Sequence, residues 1–586
     1  MSPIDEKSPD QGYWRSLEEL GNTPEYCRFT EAEFPEEARV PTDAFSRRRF
    51  LQLMGASVAM AGAAGCRWPE EKIVPFAERP DGVVPGTVRR YATAMDLAGK
   101  VSPLLVTTND GRPLKVEGNP DHPLSAGAAD HFAQASVLEM YDPDRSREVL
   151  RRRGGSYDRR SWEDFIAWAG PHFETLRGNG GRGLAVLSEQ SASPTLAALR
   201  RRLRDELPDA GWYEYEPVSR DNERLGSGLA FGTAQRAHLS LGAAAVIACF
   251  DADPLSDHPT SLRNARDFAE GRRAGHGRMN RLYAVESCPS VTGGMADHRF
   301  AVPTSRIPHV LHQLAAELFL HGGLELPRGM DRLRGAFAHV ERQGHQETFV
   351  PALARDLTAN RGRGLVVVGP RMPDHAHALC HLLNRALGNC GRTVTYSPEE
   401  PRGLTHGAAI ADVAHGVGKG SIDTLLILGG NPAFDAPAEL GLAELLARVP
   451  HSVRLGLYDD ETSRTCAWHL PRAHYLESWG DVRDHDGRYG VVQPLISPLF
   501  GGWTAPELLS LLLDGEKRPA HAQVRETARG LGVRRDSAWK TLLRDGLLPG
   551  SEAAGGVPEL EGRGLIAAVV RGAEEATGGN AEAARE

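Results

Sequence analysis

His377 and His381 stand four residues apart with Cys380 beside them. On a helix that spacing brings two imidazoles to one face, the arrangement that zinc and related transition metals use. No acidic residue lies between them where a metal-dependent hydrolase needs its base, so the pair reads as a histidine face, packed or at the surface, rather than a metal centre. A second candidate is Asp251-Ala252-Asp253, with Asp257-His258 close behind and an apolar run in front. Such a group could pair an acid with a base, yet carboxylates at strand ends also cap helices, and capping is the reading the pattern favours. His469, His474, Asp484, His485 and Asp486 form a third polar stretch, suited to a cation or a proton path. Its spacing is that of loop chemistry or an interface, without a tight ligand set. Ser191 and Ser193 lack the Gly-x-Ser-x-Gly elbow, which removes the support for a hydrolase.

Seven cysteines stand at Cys27, Cys66, Cys249, Cys288, Cys380, Cys390 and Cys466. Iron–sulfur clusters, structural zinc and covalent haem need closely spaced ligands such as C-x2-C or C-x-x-C-H, and none of these runs occurs here. No cluster, metal or other cofactor is therefore expected in this chain.

The elements that must position these residues follow from hydrophobic pattern. At 586 residues the chain is several times the size of one domain, and 41% hydrophobic with 25% charged residues is a globular balance, so packed units are expected. The formal net charge of −9, with basic residues scattered among acids, gives no field suited to nucleic acid. Ser102 to Thr108 and Arg112 to Val116 flank Asn109-Asp110-Gly111, which predicts a hairpin. Short apolar runs then alternate with amphipathic segments: 183–187 before a helix opened by Ser193-Pro194, 243–250 before Asp251, 364–369 before a helix from about Asp374 to Leu387, and 424–430 before Asn431-Pro432. Continuous apolar strands followed by Gly-rich turns and helices predict an α/β fold, doubly wound, with parallel sheets buried on both faces. Ligands of such sheets bind beyond the strand C-termini, which points to the loops after Leu187, Phe250, Val368 and Leu428. None carries a full dinucleotide or P-loop fingerprint.

At the other end, Arg47, Arg48, Phe50 and Leu51 lie in Ser46-Arg47-Arg48-Arg49-Phe50-Leu51-Gln52, which reads as a twin-arginine export signal. The apolar run to Gly65 is about fifteen residues, short of the roughly twenty that cross a bilayer. Ala63-Ala64-Gly65-Cys66 ends it in the order of a lipoprotein cleavage site, though Ala63 stands where Leu is usual; Cys66 is a candidate lipidation site, and a plain signal end is the alternative. The expected divisions are 1–66, leader and signal; 67–159, an extended arm and a β-rich domain; 160–362, an α/β domain; 363–514, a second α/β domain; and 515–586, a helical segment with a loose tail from about Ala553.

Asp110-Gly111-Arg112-Pro113-Leu114-Lys115-Val116-Glu117-Gly118-Asn119-Pro120-Asp121-His122-Pro123, then Tyr141-Asp142-Pro143-Asp144-Arg145, resembles the N-terminal domain of the molybdopterin-oxidoreductase family. Leu428-Gly429-Gly430-Asn431-Pro432, Asp460-Glu461-Thr462, Trp468-His469-Leu470-Pro471, Glu477, Gly480 and Gly487-Arg488 agree in order, so the likeness runs from about Arg90 to Gly502. Glu286 to Arg299 and His474 to Asp481 resemble the branch with a variant twin-arginine signal. That branch supplies the molybdopterin-like part of the iron–sulfur subunit of alternative complex III, a quinol-oxidising respiratory complex.

The departures carry the functional expectation. Active family members place three cysteines before the Asn109-Asp110-Gly111 turn and a fourth after the Asn-Pro-Asp-His-Pro stretch, holding a four-iron cluster. Here no cysteine lies between Cys66 and Cys249, and Gly127-Ala128-Ala129-Asp130 stands where the fourth would fall. The chain also ends without the ferredoxin-like half that the branch implies. The resemblance therefore implies a non-catalytic subunit on the periplasmic, outer face of the cytoplasmic membrane. Its expected partners are a separately encoded iron–sulfur cluster subunit, quinol-binding integral membrane subunits and a multihaem cytochrome c, which would carry the clusters and haem. The alternative is a catalytically active exported molybdopterin oxidoreductase acting on a small sulfur compound or oxyanion.

Overall fold

In the computed structural model, two compact units divide the chain at 1–77 and 78–586. The structure describes residues 86–582 apart from 154–155, 274–278, 341–345 and 401–402, together with Thr23, Pro24, Arg28 and Val84. Arg47, Arg48, Phe50, Leu51 and Cys66, and the arm expected from residue 67, lie outside the described residues except at Val84 and beyond residue 85.

The strands of the second unit begin, in chain order, with β1 (Arg89–Leu97), β2 (Lys100–Asn109) and β3 (Arg112–Gly118), then β4 (Val149–Arg153), β5 (Ser156–Arg160), β6 (Leu184–Ser188) and β7 (Gly211–Glu214). Next come β8 (Gln235–Leu239), β9 (Val246–Phe250), β10 (Arg281–Glu286), β11 (His298–Ala301), β12 (Gly364–Val368) and β13 (Val394–Pro398). The last are β14 (Thr424–Leu428), β15 (His451–Gly456), β16 (Trp468–Pro471), β17 (Gly480–Arg483) and β18 (Tyr489–Val492).

The Asn-Asp-Gly signal does make a hairpin: Asn109 pairs with Arg112, and Asp110 and Gly111 take φ of 48° and 79°, as a tight turn between twisted strands demands. With β1 it forms a small antiparallel sheet, β1-β2-β3. The larger sheets are of α/β type. One has the order β5-β4-β16-β15-β14-β6-β7, parallel from β16 to β7 and closed by the antiparallel β4 and β5. The other, β11-β10-β9-β12, is parallel throughout. Every residue of β6, β9 and β14 is buried, as strands covered on both faces must be. The fold is thus α/β with parallel sheets and a smaller β-rich N-terminal sheet.

The sheets do not follow contiguous stretches of chain. β4 and β5, expected with the N-terminal domain of 67–159, instead edge the seven-stranded sheet. Strands from 160–362 and 363–514 share both large sheets, because the chain leaves the first sheet after β7, builds the whole of the second, and returns so that Thr424 pairs with Leu184. A parallel neighbour can be far away in sequence, so apolar runs alone do not reveal it.

The tail corrects an expectation. Composition suggested looseness beyond Ala553, but Gly562–Glu582 is a helix whose Leu565, Ala568, Val569 and Ala573 are buried. It packs on the helices Asp374–Ala386 and Ile307–Ala316, and their core includes Leu565, Ala568 and Val569. Apolar residues at i, i+3, i+4 and i+8 make a helical stripe, and the small residues among them permit close approach. Leu565→Ala should lower stability by about 2–5 kcal/mol, read as an earlier denaturant midpoint. An unshifted midpoint would restore the loose tail.

Candidate functional site

Chain order sets two switch points. From β6 the chain proceeds outward to β7, and from β14 it proceeds the other way to β15 and β16, so a crevice opens where β6 and β14 lie side by side. The second sheet repeats the device at β9 and β12, with β10 and β11 on one side. The four loops singled out in the sequence are the loops at these two switch points. A cavity of about 1440 Å³ lies against both, walled by the first turns of the helix Pro194–Glu206 and by residues after β9 and β12.

At the first switch point the loop after β6 is held by side chains from distant segments. Gln190 N–H donates to Glu216 at 2.8 Å, and Ala192 N–H and Ser191 Oγ both donate to Asp96 Oδ2 at 2.7 Å. Ser193 Oγ and Thr195 Oγ1 each donate to Asp481 at 2.6 Å, and Thr195 N–H does so at 3.2 Å. Ser193 Oγ also accepts from Leu196 N–H, which makes Ser193 the N-cap. Beside them Arg472 donates to Glu189 at 2.5 Å, and Glu189 accepts from Gly430 N–H at 3.2 Å. A Cβ at Gly429, where φ is +88°, would sit 2.4 Å from the Glu189 carboxyl carbon, so only glycine allows this closure. Burial pushes Asp96 up to about 6, Glu216 up to about 7, and Asp481 above its ordinary range.

At the second switch point Asp251 has φ of 52° and takes a bidentate pair from Arg371 at 3.0 and 2.8 Å. Asp253 accepts from Thr292 N–H and Thr292 Oγ1 at 3.1 and 2.6 Å. Asp257 meets Arg220, which also donates to the Asp257 carbonyl at 2.9 Å. His258 Nδ1 accepts from Thr260 N–H at 3.1 Å, leaving its proton on Nε2. Asp251 and Asp257 therefore pair with arginines and Asp253 holds Thr292, while the N-cap residues of the neighbouring helices are Ser290 and Thr260 rather than these carboxylates.

The histidines divide similarly. His377 and His381 are buried in a packed face of their helix; His381 meets the Tyr396 hydroxyl at 3.1 Å, and Cys380 donates to the Val366 carbonyl at 3.2 Å. Burial holds His377 near 3 and His381 near 4. His485 donates to the Ala237 carbonyl at 3.0 Å, and its ring lies against those of His238 and His258. Asp486 is gripped by Arg263, by Arg488 at 2.7 Å and by His238 at 3.2 Å, while Asp484 lies 3.7 Å from His122. His469 meets Ser146 at 2.6 Å, and His474 caps the turn Tyr475–Glu477, so these two serve other contacts. Among the described residues no group of three or more His, Cys, Asp and Glu side chains stands where it could hold a metal ion. Asp96, Glu216 and Arg472 escaped the sequence reading, because a lone polar residue at a strand end has no local signature.

Burial holds His122, His312, His377, His381, His469 and His485 between about 3 and about 4. Their unfolded counterparts protonate near 6.5. Between those values the unfolded chain binds more protons, so this stability is full above pH 6.5 and lost as pH falls. Asp96, Glu216 and Asp484 pull the other way, but against the pull of burial His238 and Arg263 hold Asp486 well below the carboxylate range. The Tm should fall from pH 7 to pH 5, and His377→Gln should flatten the slope. A Tm that rises toward pH 5 would contradict the neutral histidine set.

No family model matches the chain. Over 508 residues it is 24% identical to the menaquinone reductase, molybdopterin-binding-like subunit, of Nitratidesulfovibrio vulgaris, covering 80% of this chain and 72% of that protein. A 62-residue stretch, 11% of the chain, is 36% identical to 9% of the probable oxidoreductase YyaE of Bacillus subtilis. Among solved structures, acetylene hydratase from Pelobacter acetylenicus superposes with a TM-score of 0.57 at 11% identity, over 77% of this chain and 72% of that one. In sequence over most of its length, and in fold, this chain resembles the molybdopterin oxidoreductases.

Proposed function

We propose that this chain is a non-catalytic, molybdopterin-oxidoreductase-like subunit of a membrane electron-transfer complex that exchanges electrons with a quinone, with quinol oxidation in an alternative complex III as its setting. It is exported by the twin-arginine route to the outer face of the cytoplasmic membrane. There it docks an iron–sulfur subunit beside quinol-binding membrane subunits and a multihaem cytochrome c. The likeness to a menaquinone reductase subunit supports the quinone setting.

The single observation that carries the non-catalytic part is the donor set. A four-iron cluster needs four soft ligands, and no cysteine occurs between Cys66 and Cys249. Where the fourth would fall, the loop after β3 closes on itself: Gly127 N–H and Ser125 Oγ both donate to the Asn119 carbonyl, at 3.1 and 2.7 Å. A Cβ at Gly118 would lie 1.9 Å from the Ala128 carbonyl oxygen, so the loop is filled by its own backbone. A cluster does not fit here. In the loops beyond the strands, Ser191, Ser193 and Asp253 are already engaged, with Asp96, Asp481 and Thr292.

The cavity of about 1440 Å³ favours a second reading, an exported molybdopterin enzyme acting on a small sulfur compound or oxyanion. Metal analysis of the purified polypeptide separates the two: neither molybdenum nor iron should appear in whole-number ratio, and either one doing so sinks the proposal. The complex itself is tested on detergent-solubilised membranes, where the chain should co-purify with cluster-bearing and haem-bearing polypeptides. Arg47→Lys combined with Arg48→Lys should leave it in the cytoplasm; normal export of that variant would refute the twin-arginine route.

A further inference from the structure

In doubly wound sheets the amides at a switch point and at the next helix N-terminus are anion receptors, and a bound ligand's phosphates usually satisfy them. In this chain protein oxygens do so. We infer that Asp481, Asp96 and Glu216 are internal ligands that fill the anion-receiving positions of the β6/β14 crevice, so that the chain completes its fold without an anionic cofactor.

Four observations carry this. The carboxylates converge on one stretch, Gln190 to Thr195, from three separate places: Asp96 from the end of β1, Glu216 just beyond β7, and Asp481 from β17. Ordinary capping is local, whereas Asp481 lies 286 positions from Thr195 and Asp96 lies 96 from Ala192. Asp481 is also saturated: it accepts from Ser193 Oγ, from Thr195 N–H and Oγ1, and from the Tyr489 hydroxyl at 3.3 Å. A buried carboxylate with that many donors occupies the place of a bound oxyanion rather than beside one. Finally, three arginines along the cavity are matched by carboxylates, Arg200 with Glu214 at 2.8 Å, Arg220 with Glu223 at 2.7 Å and Arg236 with Glu399 at 3.3 Å.

The same geometry makes the crevice a latent oxyanion site. Removing the Asp481 carboxylate leaves the Thr195 amide and three hydroxyls, of Ser193, Thr195 and Tyr489, converging on a vacancy of the right charge preference. This inference concerns the chain alone and does not rest on its membership of a membrane complex.

The test is thermal unfolding of the purified full chain with and without inorganic pyrophosphate, against a sodium chloride control of equal ionic strength. The wild type should show no pyrophosphate-specific shift in Tm. Asp481→Ala should melt several degrees lower and recover most of that loss in millimolar pyrophosphate, while Asp481→Glu should need no anion. Wild type stabilised by pyrophosphate, or Asp481→Ala indifferent to it, would overturn the inference. Should Asp481→Ala not fold, Glu216→Ala carries the same expectation at the Gln190 amide, with the same two outcomes. A second measurement needs no variant: the chain produced in cells unable to make the pterin should match the ordinary preparation in yield and Tm. A lower Tm from those cells would equally refute it.

Discussion

The rest of the structure depends on one constraint, that β14 must return to lie parallel beside β6 after the chain has built the whole of another sheet. This pairing creates the first switch point, and the excursion between β7 and β14 supplies all four strands of the sheet that holds the second. A cavity between the two is then a consequence of connectivity rather than of any particular side chain. The segment after the helix His131–Met140 is tied to the chain ahead of β17 by Arg145, whose guanidinium makes a bidentate pair with Glu477 at 3.0 and 2.8 Å. Both are almost fully buried, and Glu477 also accepts from the His474 and Leu499 amides. Desolvating two charges costs several kcal/mol each, so such a pair is a device for unique geometry more than for net stability.

Much of this was legible in the sequence, for a physical reason. Strands buried on both faces must be continuously apolar, so β6, β9, β12 and β14 announce themselves, and the loops after them are where an α/β sheet exposes backbone amides. The Asp110-Gly111 turn is equally local. What was not legible is pairing across distance. Nothing near Thr424 says that its partner is Leu184, and so divisions drawn along the chain cut through both large sheets. The tail misled because composition and spacing gave opposite signals. Its Ala and Gly content looks loose, yet those small residues allow the helix to approach so closely that a Cβ at Gly572 would collide with the rings of His375 and His312.

The candidate site divides the same way. His377 and His381 lie on one helix as their spacing required, and their buried side chains stand at the inner wall of the cavity. Asp253 and Ser193 were visible as polar residues at strand ends, while the partners that explain them, Thr292 and Asp481, are 39 and 288 positions away. Periodicity reports which face a residue is on; it does not report which other residue waits there.

On the function proposed above, a fold of this type without a bound cofactor faces an energetic problem. A ligand present at a thousand times its dissociation constant stabilises the native state by about 4 kcal/mol, and losing it exposes converging amides with no acceptor. Two remedies exist: loosen the crevice so that water enters, or supply acceptors from the chain. The second keeps the geometry rigid, and a tethered carboxylate acts at an effective concentration that a diffusing ligand does not reach. Asp481 fits that role, because the same side chain that satisfies Thr195 also fixes β17 against the helix Pro194–Glu206. In the proposed role such rigidity would serve a docking surface for electron-carrying neighbours, since cofactors held by other subunits keep their spacing only if the protein between them does not give.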